Sequence, residues 1–303
     1  MSDANTEYMM KNKRFVDQFI VVMILGVVLA FIGQFIGLPI DLLGYHYEDS
    51  FPELYTVFLY LTTLGSWVAS LLFMLIYKPD RPLIPAIFKG GNNTLKYFLI
   101  GGLVGFVMNG SCILVSVLHK DLAFYPDSSA LWLVLLAFIA VLIQSGSEEL
   151  LCRHVMQLHL RRRYNKPWLE ILLPSLTFAI LHLLNPGITV LSVLNLVLCG
   201  ILMSSIVYYF DSLWMAIGVH TLWNFTQAIL FGLPNSGQVL PLSVFHLDAA
   251  SARDSFSYHV NFGVEGSLMA FLVQAIALGC VIWLGEKRKK ARAIEHAPES
   301  TEQ

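Results

Sequence analysis

The chain has 303 residues, 56% of them hydrophobic and only 13% charged, with a formal net charge of −2 and a mean hydropathy of +0.65. A soluble domain averages about 25% charged residues, so a water-soluble globular fold is excluded. Apolar runs of roughly 20 residues recur from end to end and mark a polytopic helical membrane protein; the alternating segments of a β-barrel are absent, and no feature points to nucleic acid.

In chain order, residues 1–14 read as a polar tail ending Lys11-Asn12-Lys13-Arg14. A first helix is predicted over about Phe15–Ile36. Its apolar run is too long for a signal-peptide core and lacks a clear small-residue cleavage site, so it reads as uncleaved. Asp17 and Gln18 at its entry fit a headgroup position. An acidic loop with Asp41, Glu48, Asp49 and Glu53 leads to a second helix, about Tyr55–Tyr77. A basic loop with Lys78, Arg81, Lys89 and Lys96 precedes the third, about Tyr97–Leu118. A short loop with Asp121, Pro126 and Asp127 precedes the fourth, about Ser129–Arg161, which ends in Arg161-Arg162-Arg163. The fifth, about Trp168–Leu184, is stopped by Asn185-Pro186-Gly187. The sixth runs about Ile188–Phe210 and the seventh about Ser212–Phe231. Residues 232–266 form a long polar and aromatic loop. The eighth helix, about Ser267–Leu284, is followed by Lys287-Arg288-Lys289-Lys290 and a polar tail.

The expected architecture is therefore all-α: about eight transmembrane helices in a bundle with a buried polar cavity. A single membrane domain occupies residues 15–285, between tails 1–14 and 286–303. The basic clusters fall on one side of an eight-span arrangement, and the positive-inside rule puts both termini in the cytoplasm. Short tails and the lack of a targeting signal point to a prokaryotic cell membrane. Cys112, Cys152, Cys199 and Cys280 are scattered singly in apolar runs without zinc spacing and read as small buried hydrophobes. No internal repeat stands out.

One stretch breaks the apolar pattern. Glu148-Glu149-Leu150-Leu151-Cys152-Arg153 follows the apolar run Leu131–Ile143, which places two carboxylates and an arginine at membrane depth. Charge there costs roughly 2.5–3.5 kcal/mol per residue on insertion scales, so an intramembrane acid is read as functional when partners exist. At about 1.5 Å per helical residue, Glu148 and Glu149 lie roughly 18 Å from the basic end of their segment. His182 lies roughly 22 Å, and His220 and Asn224 roughly 12–18 Å, from theirs. All fall in the middle layer of a core about 30 Å thick.

Local spacing adds detail. Glu149 and Arg153 share a helix face, as do His220 and Asn224. Taken singly, each has a plain structural reading: an interhelical ion pair, a hydrogen-bonded histidine, polar glue between helices, ordinary packing for Phe178. Gln144, Asn109 and Asn195 read as hydrogen-bonded packing, and His154 and His159 as solvated beside the arginines. Taken together, a carboxylate and an imidazole can deprotonate one water, and a second imidazole with a side-chain amide can donate to an oxyanion. Cys152, between Glu149 and Arg153, faces elsewhere on the helix.

These residues resemble the CPBP family, the CAAX protease and bacteriocin-processing (Abi-type) family of intramembrane endopeptidases. Its motifs EExxxR, FxxxH and HxxxN are matched by Glu148 to Arg153, Phe178 to His182, and His220 to Asn224. The motif-bearing core spans about residues 131–231. The resemblance implies hydrolysis of a peptide bond in a membrane-associated or lipidated substrate. It assigns Glu148 and His182 to the attacking water, His220 and Asn224 to the oxyanion, and Glu149 with Arg153 to support. It also admits a zinc site of Glu148, His182 and His220 with an open position. With no HExxH helix and with Asn224 a poor zinc ligand, the metal-free mechanism is the preferred expectation. Whether the substrate is prenylated, and the oligomeric state, stay open. The alternative from another class is a non-catalytic membrane scaffold or immunity factor. A proton-relay transporter would predict paired repeats and broken helices, which are not evident.

Overall fold

The computed structural model describes residues 14–126 and 131–295; the expected N-tail up to Lys13, Asp127 in the short loop, Ser129 and the end of the C-tail lie outside the described residues. The long apolar stretches form helices: α1 (Phe19–Tyr45), α2 (Pro52–Leu61), α3 (Leu64–Ile76), α4 (Leu83–Lys89), α5 (Leu95–Leu118), α6 (Val134–Glu149), α7 (Gln157–Tyr164), α8 (Pro167–Leu181), α9 (Val190–Phe210), α10 (Leu213–Asn224) and α11 (Leu268–Glu295). A π-helical segment, Leu150–Met156, joins α6 to α7, and a second, Phe225–Leu230, extends α10. A short antiparallel ribbon pairs Phe124–Pro126 (β1) with Phe245–Leu247 (β2), Tyr125 opposite His246. The protein is an all-α, multi-pass membrane protein.

Six helices among the described residues are long and apolar enough to cross a membrane: Phe19–Tyr45, Pro52–Ile76, Leu95–Leu118, Leu131–Tyr164, Val190–Phe210 and Leu268–Ala291. The fifth and seventh expected segments are present as shorter pieces. Helix α8 ends at Leu181, so His182 already belongs to the turn that leads to Asn185-Pro186-Gly187. Helix α10 and its π extension cover Leu213 to Leu230 and are buried along almost their whole length. The second expected helix is interrupted at Thr62-Thr63, whose hydroxyls donate back to the carbonyls of Leu59 (2.6 Å) and Tyr60 (2.7 Å). Such back-bonding competes with the helical ladder.

Small residues let the helices approach closely. The buried face of α1 carries Val22, Gly26, Leu29, Gly33, Gly37 and Gly44, a stripe at helical spacing. A Cβ on Gly37 would lie 2.1 Å from the Thr62 carbonyl oxygen, and one on Gly33 would lie 2.4 Å from Ser66 Oγ. The stripe continues past Ile36, which is why α1 runs through Gly37 and Pro39 to Tyr45 rather than stopping where an acidic loop was expected. Its opposite face, with Phe31 and Phe35, is exposed for lipid. Helices α5 and α10 meet in the same way. A Cβ on Gly105 would lie 2.1 Å from the Val219 carbonyl oxygen, and one on Gly218 would lie 2.3 Å from that of Phe98. Without an apolar driving force between helices in lipid, this packing is what holds them together.

Three expectations about polar residues need correction. Asp17 is buried rather than at headgroup level, paired to Arg162 at 2.8 Å and 3.0 Å from His159 Nδ1. His159 is buried rather than solvated, with Nε2 2.6 Å from Asp80 Oδ2, and Asp80 Oδ1 also takes Arg162 Nη1 at 2.6 Å. Burial by itself would raise the Asp80 carboxyl, but the bonds from His159 and Arg162 outweigh it and hold it below its ordinary range. His154 is buried too, its Nε2 2.8 Å from the Leu83 carbonyl oxygen. The 78–89 segment covers His159 through Asp80 and His154 through the Leu83 carbonyl, while Asp17 is held inside by Arg162 and His159 of α7.

The long polar and aromatic 232–266 loop packs into the bundle. Leu233, Leu242, Tyr258, Phe262 and Val264 are buried in it. Of the cysteines, Cys112 and Cys152 are buried, Cys199 is half-buried and Cys280 is exposed on α11.

Candidate active site

The Glu148-Glu149 pair closes α6, and the helix widens into its π segment at the next residue. Helix α10 closes on Asn224 and is likewise followed at once by a π segment. Such widenings are frequent at functional sites, and here each follows a motif residue. His182 caps α8 with φ −99° and ψ −1°, the bridge conformation just past the helix end.

These elements gather the predicted residues around one cavity of about 310 Å³. Glu148, Phe178, His182, His220 and Asn224 line it. Glu149 and Arg153 do not: both side chains are 0% exposed and lie behind the wall. The two glutamates, indistinguishable from helix periodicity, are thus separated by environment, with the Glu148 side chain 27% exposed.

Hydrogen bonds define their surroundings. Glu149 Oε1 accepts from Arg153 Nη1 at 3.2 Å and from His220 Nδ1 at 2.9 Å. Arg153 also donates to the Gly200 carbonyl at 3.2 Å, and its guanidinium lies 4.9 Å over the Phe178 ring. Phe178 therefore does more than fill space: its ring centroid also stands 4.6 Å from that of His182 and 6.0 Å from that of His220. Glu148 Oε1 accepts from Gln144 Nε2 at 2.6 Å. Its Oε2 has no hydrogen-bond partner among the described residues and lies 3.6 Å from His220 Nε2. His182 Nδ1 lies 2.8 Å from the Phe178 carbonyl oxygen. That carbonyl can only accept, so Nδ1 carries the hydrogen and the neutral ring keeps its lone pair on Nε2.

His220 Nε2 and Glu148 Oε2 have a spacing that two ligands of one ion can adopt. Yet no group of three His, Cys, Asp or Glu side chains is arranged to hold a metal ion among the described residues.

Three site residues escaped the sequence reading. Gln144, expected to be packing, bridges the two motif helices by donating to Glu148 and accepting from Asn224 Nδ2 at 3.1 Å. Its place one helical turn before Glu148 was the available signal. Asn235 and Glu265 reach the cavity from the 232–266 loop, and no local pattern announces them. Asn195, also read as packing, donates to the carbonyls of Glu265 (2.7 Å) and Ser267 (2.9 Å) and so anchors that loop.

A family model for the type II CAAX prenyl endopeptidase Rce1-like domain matches residues 130–226. No curated protein and no solved structure matches the chain. The matched segment contains all three motifs and ends just past Asn224, leaving Asn235 and Glu265 outside it. The chain is thus a multi-pass membrane protein whose residues 130–226 match the family model of the Rce1-like type II CAAX prenyl endopeptidases.

Proposed function

We propose that the protein is an intramembrane endopeptidase that hydrolyses a peptide bond of a membrane-associated substrate with a water activated by Glu148 and His182. The observation that carries this reading is the convergence on one cavity of Glu148 on α6, His182 at the C-terminal cap of α8, and His220 and Asn224 on α10. Glu148 Oε2 and His182 Nε2 are the two basic atoms free to take a proton from water. The water oxygen bonds to the scissile carbonyl carbon. Negative charge gathers on the carbonyl oxygen, and His220 Nε2 and Asn224 Nδ2 donate to it. The C–N bond then breaks as the abstracted proton passes to the leaving amine. For His220 to donate from Nε2 while Nδ1 donates to Glu149, the ring must hold both protons. Glu149 Oε1, which also accepts from Arg153, takes the Nδ1 hydrogen and orients the ring. Glu149 and Arg153 are then supporting rather than catalytic.

The cavity shares Gln34, Leu59 and Thr62 with a neighbouring groove lined by Phe31, Phe35 and Leu38 on the exposed side of α1. This sideways continuity suits a substrate held in the bilayer, lipidated or not. The basic clusters support a cytoplasmic location for both termini.

The test is hydrolysis of membrane-anchored peptides by purified protein in detergent or vesicles. Glu148→Ala is expected to lower kcat by at least about 10²-fold, and chelation to leave the wild type unchanged. Wild-type hydrolysis by Glu148→Ala overturns the proposed role. Loss on chelation with recovery on adding zinc overturns the metal-free route. Full biological activity of a Glu148→Ala/His182→Ala double variant would favour a non-catalytic scaffold on the same fold.

A further inference from the structure

Asn224 carries a side-chain amide whose two ends do opposite things, so its use as a donor requires a fixed orientation. The structure supplies one through a chain of hydrogen bonds with a single direction. Glu265, on the 3₁₀ turn Val264–Gly266, is a carboxylate and can only accept. Asn235 therefore turns its Nδ2 toward it, at 3.5 Å from Glu265 Oε1, and the same Nδ2 donates to Asn224 Oδ1 at 3.3 Å. With Oδ1 so engaged, Asn224 presents Nδ2 to the other side, where Gln144 Oε1 accepts at 3.1 Å. Gln144 Nε2 in turn donates to Glu148 Oε1 at 2.6 Å. The run of amides Asn235, Asn224, Gln144 has an acceptor-only carboxylate beside each end, Glu265 at one and Glu148 at the other, and reversing one amide would set donor against donor.

Glu265 itself has no capacity left for substrate. Oε1 also accepts from Trp223 Nε1 at 2.9 Å, while Oε2 accepts from Ser236 N at 2.6 Å and Ser236 Oγ at 2.9 Å. Trp223 directly precedes Asn224, so the carboxylate grips the motif helix at that point. The turn carrying Asn235 is held independently: Gln227 Nε2 donates to the Pro234 carbonyl at 2.6 Å, and Asn185 Nδ2 donates to that of Ser236 at 3.0 Å. Gly263, at φ +75°, lets the two loop segments touch, since a Cβ there would lie 2.0 Å from the Pro234 carbonyl oxygen.

We propose that Glu265, acting through Asn235, is a positioning residue of the peptidase reaction that fixes which end of the Asn224 amide faces the oxyanion. This rests on the reading of Asn224 as an oxyanion donor. A glutamine at 265 has one acceptor oxygen where four donors converge, so it loosens the chain while keeping its shape.

The experiment is a double-mutant cycle measuring kcat and KM for the wild type, Glu265→Gln, Asn224→Ala and the pair, with thermal unfolding in detergent recorded for each. Glu265→Gln is expected to lower kcat about 10-fold, since misplacing a reacting group by about 1 Å has effects of this order or larger. KM should stay within about twofold, and no further loss is expected in the Asn224→Ala background. Full kcat in Glu265→Gln, or a loss that simply adds to that of Asn224→Ala, overturns the positioning role. Wild-type kcat in Asn224→Ala overturns the oxyanion reading itself, a distinct outcome. Where Glu265→Gln does not fold, Asn235→Ala takes its place. It cuts the link to Asn224 but leaves the bonds of Glu265 to Trp223 and Ser236, and the same pattern of kcat loss and non-additivity is required of it.

Discussion

Glu149 and Arg153 form a buried ion pair in which each partner depends on the other. Neither side chain is exposed, and the pair is completed by His220, the Gly200 carbonyl and the Phe178 ring. Removing one member of such a pair leaves an uncompensated charge and costs about 3–5 kcal/mol, whereas replacing both by apolar groups is often neutral. Arg153→Met is therefore expected to destabilise the fold by about that amount, read by chemical or thermal unfolding in detergent. The double variant Arg153→Met/Glu149→Leu should recover much of the stability yet stay inactive, because His220 has lost its Glu149 partner. Recovery of activity along with stability would show that Glu149 has no part in holding the His220 proton. The i,i+4 spacing of this pair was legible in the sequence. The third partner, on another helix, was not.

At the scale of elements, the site depends on how closely α10 can lie against α5. The glycines of α5 put backbone against backbone, and His220 directly follows Val219, whose carbonyl faces Gly105. Gly105→Val must push α10 outward, because a Cβ meets that oxygen at 2.1 Å. A shift of about 1 Å at a reacting group costs on the order of 10²-fold, so kcat should fall by at least about 10-fold in protein that still inserts in the membrane. Gly110→Val on the same helix is the control, since nothing lies within 4 Å of a Cβ there. It is expected to behave as the wild type, and equal losses in both variants would place the effect in helix propensity rather than in packing. The glycines were visible in the sequence, but which of them face a neighbouring helix is a matter of rotation about the helix axis. That rotation is settled by the partner.

For the whole molecule, charged clusters at several loops tie the bundle together. Asp121, just past α5, joins the 248–258 stretch to that helix. It accepts from the hydroxyl of Ser255, from Ser257 Oγ at 2.6 Å and from His119 Nδ1 at 2.8 Å, with Arg253 Nε 3.4 Å away. Burial alone would raise the Asp121 carboxyl; the bonds from Ser255, Ser257 and His119 outweigh it and hold it below its ordinary 3.8. A carboxyl depressed in the folded state adds stability that is complete above its unfolded pKa and disappears as pH falls through the folded one. Asp121→Asn should therefore lower the unfolding temperature at pH 7, and the gap to the wild type should narrow only below about pH 4. A gap that closes between pH 5 and 7 would assign the effect to a histidine instead.

The sequence by itself determined the class of protein and singled out polar residues that line its cavity. Long apolar runs can only be satisfied as helices in a bilayer, and counting residues along them placed Glu148, His182, His220 and Asn224 at one depth before any contact was known. What only the tertiary structure decided was direction and partnership. It put Glu148 on the cavity and Glu149 behind it, buried Asp17, His154 and His159, ended α8 at Leu181, and brought Gln144, Asn235 and Glu265 into the site. The physical reason is that a one-dimensional pattern carries the period and length of a segment, whereas the rotation of each helix and the path of a loop are fixed by packing between residues far apart in the chain. Asn195 and Glu265 are separated by 70 positions, and His220 and Glu149 by 71; nothing local to either member names the other.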